Sequence, residues 1–132
     1  MRLFSFEVTT GRPVTKWIDE SGVAHRVDPR TSQAVVVPLF AERAPAQVVC
    51  MYIRANGFLP RHPATTPQLF AVVEGDGWVS GGDGVKVPIK TGQAAFWERG
   101  EEHESGTDRG LKAIVVEGQT FDPSRYMREI RP

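Results

Sequence analysis

Thirteen glycines and ten prolines divide this chain of 132 residues into short apolar runs, and this rhythm limits the folds open to it. Short runs bounded by Gly and Pro are typical of β-sandwiches and β-barrels, whereas helical periodicity is scarcely present. The pattern therefore predicts an all-β protein. Its candidate strands are 3–8, 14–18, 23–27, 34–40, 48–54, 68–74, 77–80, 85–89, 94–97 and 111–117.

Several short segments predict the connections between these strands. Asp76-Gly77 and the stretch 81–84 supply residues that tolerate positive φ, so tight turns of an antiparallel meander are expected at both places. Pro38 indicates that the run 34–40 is an edge strand or is split by a bulge. Asp122 followed by Pro123 resembles an N-cap with proline at the first helical position, which predicts a short C-terminal helix over 124–130.

The length of the chain fits one compact domain, here expected to span 1–132. Sixteen basic and sixteen acidic side chains cancel, so no overall field attracts nucleic acid or an anionic membrane, and neither is expected as a partner. The basic residues also form no stripe interleaved with aromatic residues.

Cysteine content and the start of the chain bear on the compartment. The single cysteine, Cys50, excludes an intrachain disulfide, and its apolar surroundings predict a buried thiol on a strand rather than a reactive one. Residues 1–7 do not resemble a signal peptide, and no apolar run approaches membrane-spanning length. A cytoplasmic protein is the expectation.

Three polar residues are candidates for a metal site: His62, Gln68 and His103. Two imidazoles and one polar side chain can hold a divalent transition metal if the fold brings them to one ion. Gln68 shares a strand face with Phe70, and a glutamine on such a face needs a partner if it is buried. His103 lies among glutamates that could orient its ring, or that form a solvated acidic turn.

The segment Gly92-Gln-Ala-Ala-Phe-Trp-Glu98-Arg-Gly100-Glu-Glu-His103 resembles the second sequence motif of the cupins, which are small double-sheet β-barrels. That motif has a glycine, then proline after five residues, glycine after one more, and histidine after two more. Only the proline is replaced, by Glu98, and Thr107 stands where asparagine is usual.

The segment His62-Pro-Ala64-Thr-Thr-Pro-Gln68-Leu-Phe-Ala-Val-Val-Glu-Gly75 resembles the first cupin motif. His62 and Gly75 are in register, whereas Ala64 replaces a second histidine and Gln68 replaces a glutamate. Gly57 is one position from the leading glycine, and sixteen residues separate Gly75 from Gly92, as in small microbial single-domain cupins.

The resemblance implies a cupin-type double-stranded β-helix, or jelly-roll barrel, whose motifs cover about 57–107. It also implies a site that commonly holds iron, manganese, nickel or zinc through three histidines and a glutamate. Only His62 and His103 keep that chemistry, and Gln68 offers a neutral oxygen. Two alternatives are therefore expected at these three residues: a weakly bound divalent transition metal, or a pocket that no longer holds one. Gln68, Phe70 and Glu98 are the candidate ligand pocket, with Glu98 otherwise a solvated turn residue.

Three functions remain open. The altered ligand set favours a binding module that takes a small organic ligand in the barrel. The retained residues favour a metal-dependent enzyme, of the dioxygenase or sugar-isomerase kind that the resemblance implies, although no catalytic residue is assigned. A dimeric regulatory or structural subunit is the third, since cupins often dimerise through an N-terminal strand and 3–8 could serve in a homodimer. Fold resemblance alone does not choose among them.

Overall fold

A computed structural model describes residues 1–132 and shows an almost entirely β protein. The strands are β1 (Arg2–Ser5), β2 (Arg12–Pro13), β3 (Lys16–Ile18), β4 (Ala24–Arg26), β5 (Val35–Val36), β6 (Ala46–Ile53), β7 (Phe58–Pro63), β8 (Gln68–Ser80), β9 (Val87–Lys90), β10 (Gln93–Trp97), β11 (Glu102–Gly106), β12 (Leu111–Gly118) and β13 (Arg128–Ile130). The helices are α1 (Pro29–Ser32) and single 3-10 turns at Val8–Thr10 and Pro123–Arg125. None has the length and apolar character needed to cross a membrane.

The main sheet has nine strands, all paired antiparallel, and β8 is its shared strand. The first half of β8 pairs with β10 on one side and β12 on the other, whereas its second half pairs with β11 and β9. The sheet continues from β10 to β1 and β13, from β12 to β6, and from β11 to β7. The predicted all-β architecture is therefore confirmed.

β8 runs through the place where a hairpin was predicted, so the expected turn at Asp76-Gly77 is wrong. The strand bends there without reversing, because Gly75 adopts φ +81° and the register with β12 shifts between Lys112 and Ala113. A Cβ at Gly75 would collide with the carbonyl oxygen of Gly110. The predicted turn over 81–84 does form, with the Gly84 N–H donating to the Gly81 carbonyl at 3.0 Å.

Alternation along the strands produces two apolar clusters on opposite faces of the sheet. On β8, Phe70 and Val72 point inward, whereas Leu69 and Ala71 point outward. The inner cluster, inside the barrel, is Leu3, Ile53, Ala64, Phe70, Val72, Val79, Ile89, Ala95, Trp97, Leu111, Ala113 and Val115. The outer cluster is Phe4, Leu69, Ala71, Ala94, Phe96, Val116 and Met127, covered in part by side chains from 37–40 and 121–126.

The predicted C-terminal helix is wrong beyond its first turn. The Asp122 side chain accepts from the Ser124 N–H, as an N-cap should, but the helical turn ends at Arg125. The chain then becomes extended because Arg128–Ile130 pairs with β1, where Leu3 lies opposite Ile130. Sheet hydrogen bonds thus replace the helical ones.

The exposure of Cys50 was predicted wrongly, whereas two segments that contain proline show what proline does to a strand. Cys50 lies on a strand, but its thiol is exposed rather than buried, because β6 is an edge strand and Cys50 is on its outer face. The run 34–40 contributes only the short strand β5, which pairs with β2, in keeping with the split expected at Pro38. The strand β7 was not predicted because it contains two prolines, which an edge strand tolerates.

Candidate functional site

The two candidate histidines meet across neighbouring strands. His62 on β7 is the Cα partner of His103 on β11, and their ring centroids are 4.3 Å apart with a tilt of 53°. His62 is exposed, whereas His103 retains only 4% of its accessible surface. The pairing predicted from the motifs is therefore present in the structure, with one ring open to solvent and the other behind it.

Backbone carbonyls determine which nitrogen carries the proton in the neutral form of each ring. The Nδ1 atom of His62 lies 2.6 Å from the carbonyl oxygen of Pro60, and the Nδ1 atom of His103 lies 3.2 Å from that of Glu101. Because a carbonyl only accepts, Nδ1 carries the proton in each ring and Nε2 keeps its lone pair. In the neutral rings, both Nε2 atoms are thus available to accept a hydrogen bond or to bind a metal ion.

The environment of His103 favours its neutral form. Burial lowers the pKa of this imidazole below its usual value, and the nearby His62 lowers it further. The hydrogen bond to the Glu101 carbonyl and the charges of Glu101 and Glu102 oppose the shift but do not reverse it. At neutral pH His103 is therefore an uncharged ring.

Trp97 forms the inner wall behind His103. Its ring stacks on the imidazole at 4.3 Å between centroids and 28° between planes. The indole Nε1–H donates to the carbonyl oxygen of Ser80 at 3.1 Å, and the Phe70 ring follows at 6.0 Å. His62, His103, Trp97 and Phe70 thus form a continuous row of rings from solvent to the core.

Gln68 lies beside this row and has one unused polar atom. It is the Cα partner of Trp97 on β10 and of Glu117 on β12. Its Nε2 atom donates to Glu117 Oε1 at 2.8 Å, and because a carboxylate only accepts, this contact fixes the orientation of the amide. The Gln68 Oε1 atom is buried and has no hydrogen-bond partner in the protein.

Glu117 was missed by the sequence reasoning, although a signal was present. Val115 and Ala113 on β12 belong to the inner cluster, so period-two alternation places Glu117 on the same inward face. A carboxylate at the end of such a face could have been paired with Gln68.

These side chains converge because each is at or near the end of its strand. His62, His103, Gln68, Trp97 and Glu117 together are called the rim site below. Gln68 begins β8, Trp97 ends β10, and Glu117 is one residue from the end of β12. Antiparallel neighbours bring these ends to one end of the barrel. Close by in sequence, the hydroxyl oxygen of Thr66 is also buried and has no partner in the protein.

Two residues considered with the motifs are placed elsewhere. Ala64, where the motif has its second histidine, is buried in the inner cluster, and its backbone bonds to Gly100 and Glu101. Glu98 is exposed at the turn after β10. The pKa of Arg2 is raised chiefly by its hydrogen bond to Glu129, and the charge of Glu98 adds to this effect. No contact joins Glu98 to Gln68 or Phe70.

The donor set suits only a partial metal centre. No group of three or more His, Cys, Asp and Glu side chains is arranged to hold an ion. The available ligands are the two imidazole Nε2 atoms and the unpartnered oxygen of Gln68. An ion bound there would be held by three neutral groups, with water completing its shell.

Glycines with positive φ account for the spacing of the motifs. Gly75, Gly92 and Gly100 have φ of +81°, +90° and +81°, a region that other residues rarely enter.

Thr107, at the position of the usual asparagine, is buried and also has a structural role. Its hydroxyl donates to the Asp76 carbonyl at 2.7 Å and accepts from the Gly110 N–H at 2.9 Å.

The main surface cavities lie away from the rim site. The largest, about 690 Å³, is lined by charged residues and Trp78, and another of about 460 Å³ lies beside Tyr52 and Lys112. Neither these two nor the next three include His62, Gln68 or His103. Apolar side chains fill the barrel interior, so the rim site is a shallow surface rather than a deep pocket.

No protein-family model matches the sequence, and no curated protein does. Solved structures do resemble it. A cupin superfamily protein from Desulfitobacterium hafniense aligns with TM-score 0.54 and 10% identity over 83% of this chain and 99% of its own. A double-stranded β-helix protein from Klebsiella pneumoniae aligns with TM-score 0.52 and 17% identity over 72% of this chain and 84% of its own.

A third solved structure carries a named activity. The DMSP lyase DddQ from Ruegeria pomeroyi aligns with TM-score 0.54 and 19% identity, over 63% of this chain and 42% of that protein. Identities this low establish the fold alone. The protein has the cupin double-stranded β-helix, as its glycine and histidine motifs predict.

Proposed function

We propose that this cupin-fold protein is a binding module that takes a small organic ligand rich in hydrogen-bond donors at the rim site. The observation that carries the proposal is the buried, unpartnered Oε1 atom of Gln68, whose Nε2 atom is already held by Glu117. A buried polar atom without a partner costs free energy, about 1–3 kcal/mol, unless a ligand or water satisfies it.

The polarity of the rim site defines the class of ligand. Gln68 Oε1 and the Nε2 atoms of His62 and His103 all accept, and Glu117 adds a carboxylate. A hydroxyl or amine group can donate to these atoms, whereas a carboxylate or phosphate would meet only acceptors. A polyol, a sugar or an alkylamine therefore fits this chemistry better than an anion.

The same acceptors support a second candidate, a metal-assisted reaction. The fixed Nδ1 protons direct both Nε2 lone pairs away from the backbone, which is the arrangement that histidine ligands need. His62, His103 and Gln68 would hold the ion, and a bound divalent metal supplies Lewis-acid chemistry. Glu117 would accept a hydrogen bond from a substrate, and burial would keep His103 neutral. The lyase activity of the Ruegeria protein is not carried over, since only the fold is shared.

Thermal unfolding with a panel of probes tests the binding module. Polyols, sugars and alkylamines should include compounds that raise the melting temperature, and matched carboxylates should not. The shift should disappear in Gln68→Leu and persist in His25→Ala, whose imidazole instead bonds to Asp19 at 2.8 Å. Binding of carboxylates alone, or binding that Gln68→Leu leaves intact, would contradict the proposed site.

Elemental analysis and calorimetric titration with Zn²⁺, Ni²⁺, Mn²⁺ or Fe²⁺ separate the two candidates. Binding that is lost in both His62→Ala and His103→Ala, and retained in His25→Ala, would support the metal-assisted reaction. Absence of metal from the purified protein, together with no heat on titration of any of the four ions, would leave the metal-free binding module.

A further inference from the structure

A small cavity, called the junction cavity here, lies between β2, β5 and the C-terminal 3-10 turn. Its volume is about 270 Å³. The lining residues are 10–12 on one segment, 36–38 on a second, and Arg125 and Tyr126 on a third. None of them belongs to the rim site, so the junction cavity is a separate place for a ligand.

The lining of the junction cavity is basic and contains no carboxylate. Arg12 and Arg125 are its only charged residues. Four other cavities of the surface each include an aspartate or a glutamate beside their basic residues. Two guanidinium groups that no lining carboxylate neutralises attract an anion and repel a cation.

Both guanidinium groups have donors that the protein does not use. None of the ion pairs in the structure involves Arg12. Arg125 contacts Glu42 through one nitrogen, Nη1, at 3.4 Å from each carboxylate oxygen, which is long for a charge-assisted hydrogen bond. Because a guanidinium group carries five N–H donors, most of those of Arg125 remain available.

A third donor is the hydroxyl of Tyr126, which is buried and has no hydrogen-bond partner in the protein. The Tyr126 ring packs against the outer cluster, so the position of the hydroxyl is fixed. Burial raises the pKa of this phenol above its usual value, although the nearby Ala41 backbone and the charge of Arg125 oppose the shift. The hydroxyl therefore keeps its proton at neutral pH and can donate it to an acceptor.

We propose that the junction cavity binds the phosphate group of a small phosphomonoester. Such a group carries about −1.5 to −2 charge at pH 7, which balances two guanidinium groups, whereas a carboxylate would leave one of them uncompensated. Its three terminal oxygens also match three separate donors, which are Arg12, Arg125 and Tyr126.

The rest of the lining defines the organic part of the ligand. Val36, Val37 and Pro38 are the apolar residues of the cavity, so they would contact carbon atoms of the ester. The volume of about 270 Å³ is below the range of about 300–1,000 Å³ that is typical of pockets for drug-sized ligands. We therefore expect a short-chain ester rather than a nucleotide.

Glu42 opposes the binding of phosphate although it is not part of the lining. It pairs with Arg125, and its charge also acts on the phenol of Tyr126. Replacing it with glutamine removes this negative charge and frees the Arg125 guanidinium. Glu42→Gln should therefore lower the dissociation constant for a phosphomonoester, about threefold or more.

Calorimetric titration with propyl phosphate, inorganic phosphate and butyrate tests the class of ligand. Butyrate carries the same propyl chain on a carboxylate, so propyl phosphate should bind at least about tenfold more tightly. Inorganic phosphate lacks the propyl chain and should bind more weakly than propyl phosphate, because it makes no contact with the apolar part of the lining.

Substitutions in the lining test the three donors. Arg12→Gln and Arg125→Gln should each raise the dissociation constant for propyl phosphate at least about tenfold. Tyr126→Phe removes only the hydroxyl and should raise it at least about threefold. Arg30→Gln is the matched control, because Arg30 is exposed outside the cavity and its variant should bind as the wild type does.

Circular dichroism checks that each variant is folded, and Gln68→Leu should leave the binding of propyl phosphate unchanged if the two sites are separate. No heat with propyl phosphate, or equal affinities for propyl phosphate and butyrate, would overturn the proposal. An Arg30→Gln variant that weakens binding as much as Arg12→Gln would also do so, because the effect would then come from overall charge. Equal affinities for propyl phosphate and inorganic phosphate would overturn the assignment of an ester.

Discussion

The indole of Trp97 stacks on the imidazole of His103 at 4.3 Å, and its N–H is held by the carbonyl of Ser80 on the shared strand β8. One side chain thus connects the inner face of the rim site to the last residue of β8. The position of His103 depends on this ring, because the imidazole has His62 on one side and Trp97 on the other.

Replacing Trp97 with phenylalanine should destabilise the protein without removing the stacked ring. The Ser80 carbonyl would lose its indole donor, and the core would lose volume, for a combined cost of about 2–4 kcal/mol. Urea unfolding measures the change. Trp78→Phe serves as the control, since Trp78 is only half-buried and its indole makes no hydrogen bond, so a smaller loss is expected there. Equal losses at the two positions would argue against the role given to the Ser80 contact.

The stability of the protein should fall as the pH is lowered through the titration of His103. Its pKa in the folded state is depressed by burial, so the unfolded chain binds the proton more readily. The stabilisation from the neutral ring is therefore complete above the unfolded value, about 6.5, and is lost as the pH falls through the folded pKa. Urea unfolding at a series of pH values should show this dependence in the wild type and in His25→Asn, and a weaker one in His103→Asn.

Gln68→Glu should destabilise the protein at neutral pH even though it restores the glutamate of the cupin motif. The new carboxylate would stand within hydrogen-bond distance of Glu117, and two such charges repel. We expect a loss of about 1–3 kcal/mol in the free energy of unfolding. The exchange Gln68→Glu with Glu117→Gln should recover most of it. A double-mutant cycle that gave no coupling between the two positions would show that the contact does not determine the residue at 68.

Gly75→Ala should destabilise the protein more than Gly22→Ala. Both glycines have similar positive φ, +81° and +83°, so both substitutions carry the same backbone strain. Only at Gly75 would the new Cβ collide with the Gly110 carbonyl, since nothing lies within 4 Å at Gly22. The difference between the two losses in the free energy of unfolding therefore reports the close approach of β8 to the Gly110 carbonyl. We expect this difference to be at least about 1 kcal/mol.

The sequence predicted the features that depend on local backbone demands. Glycines 75, 92 and 100 lie where the backbone requires positive φ, so their spacing predicted the fold. The same motifs predicted that His62 and His103 would be close together, and the two are Cα partners. The errors arose where long-range pairing outweighed a local signal. Asp76-Gly77 has the composition of a turn, but β9 pairs with both residues, and on the other edge β12 pairs up to Gly75 and β11 from Trp78 onward. The C-terminal segment has a helix cap, but β1 offers it a sheet edge.

The candidate site was predicted in part for a related reason. Gln68 was singled out because its face is apolar, yet its partner Glu117 is 49 residues away and only strand register brings the two together. A pocket was predicted at Gln68, Phe70 and Glu98, but residues that are close in sequence need not line one cavity in the fold. Phe70 is 2% exposed in the packed core and Glu98 is on the surface, and only a three-dimensional structure distinguishes these environments.

The length of β8 has a consequence for how the protein opens. Its 13 residues begin at Gln68 in the rim site and end at Ser80, whose carbonyl holds the Trp97 indole. A local fluctuation that freed the strand at one end would disturb neighbours on both sides of the barrel, so small independent openings are disfavoured. Amide hydrogens of β8 should therefore exchange with solvent only through unfolding of the whole domain. Those of β2 to β5 should exchange much sooner, because these strands pair only in two-stranded sheets.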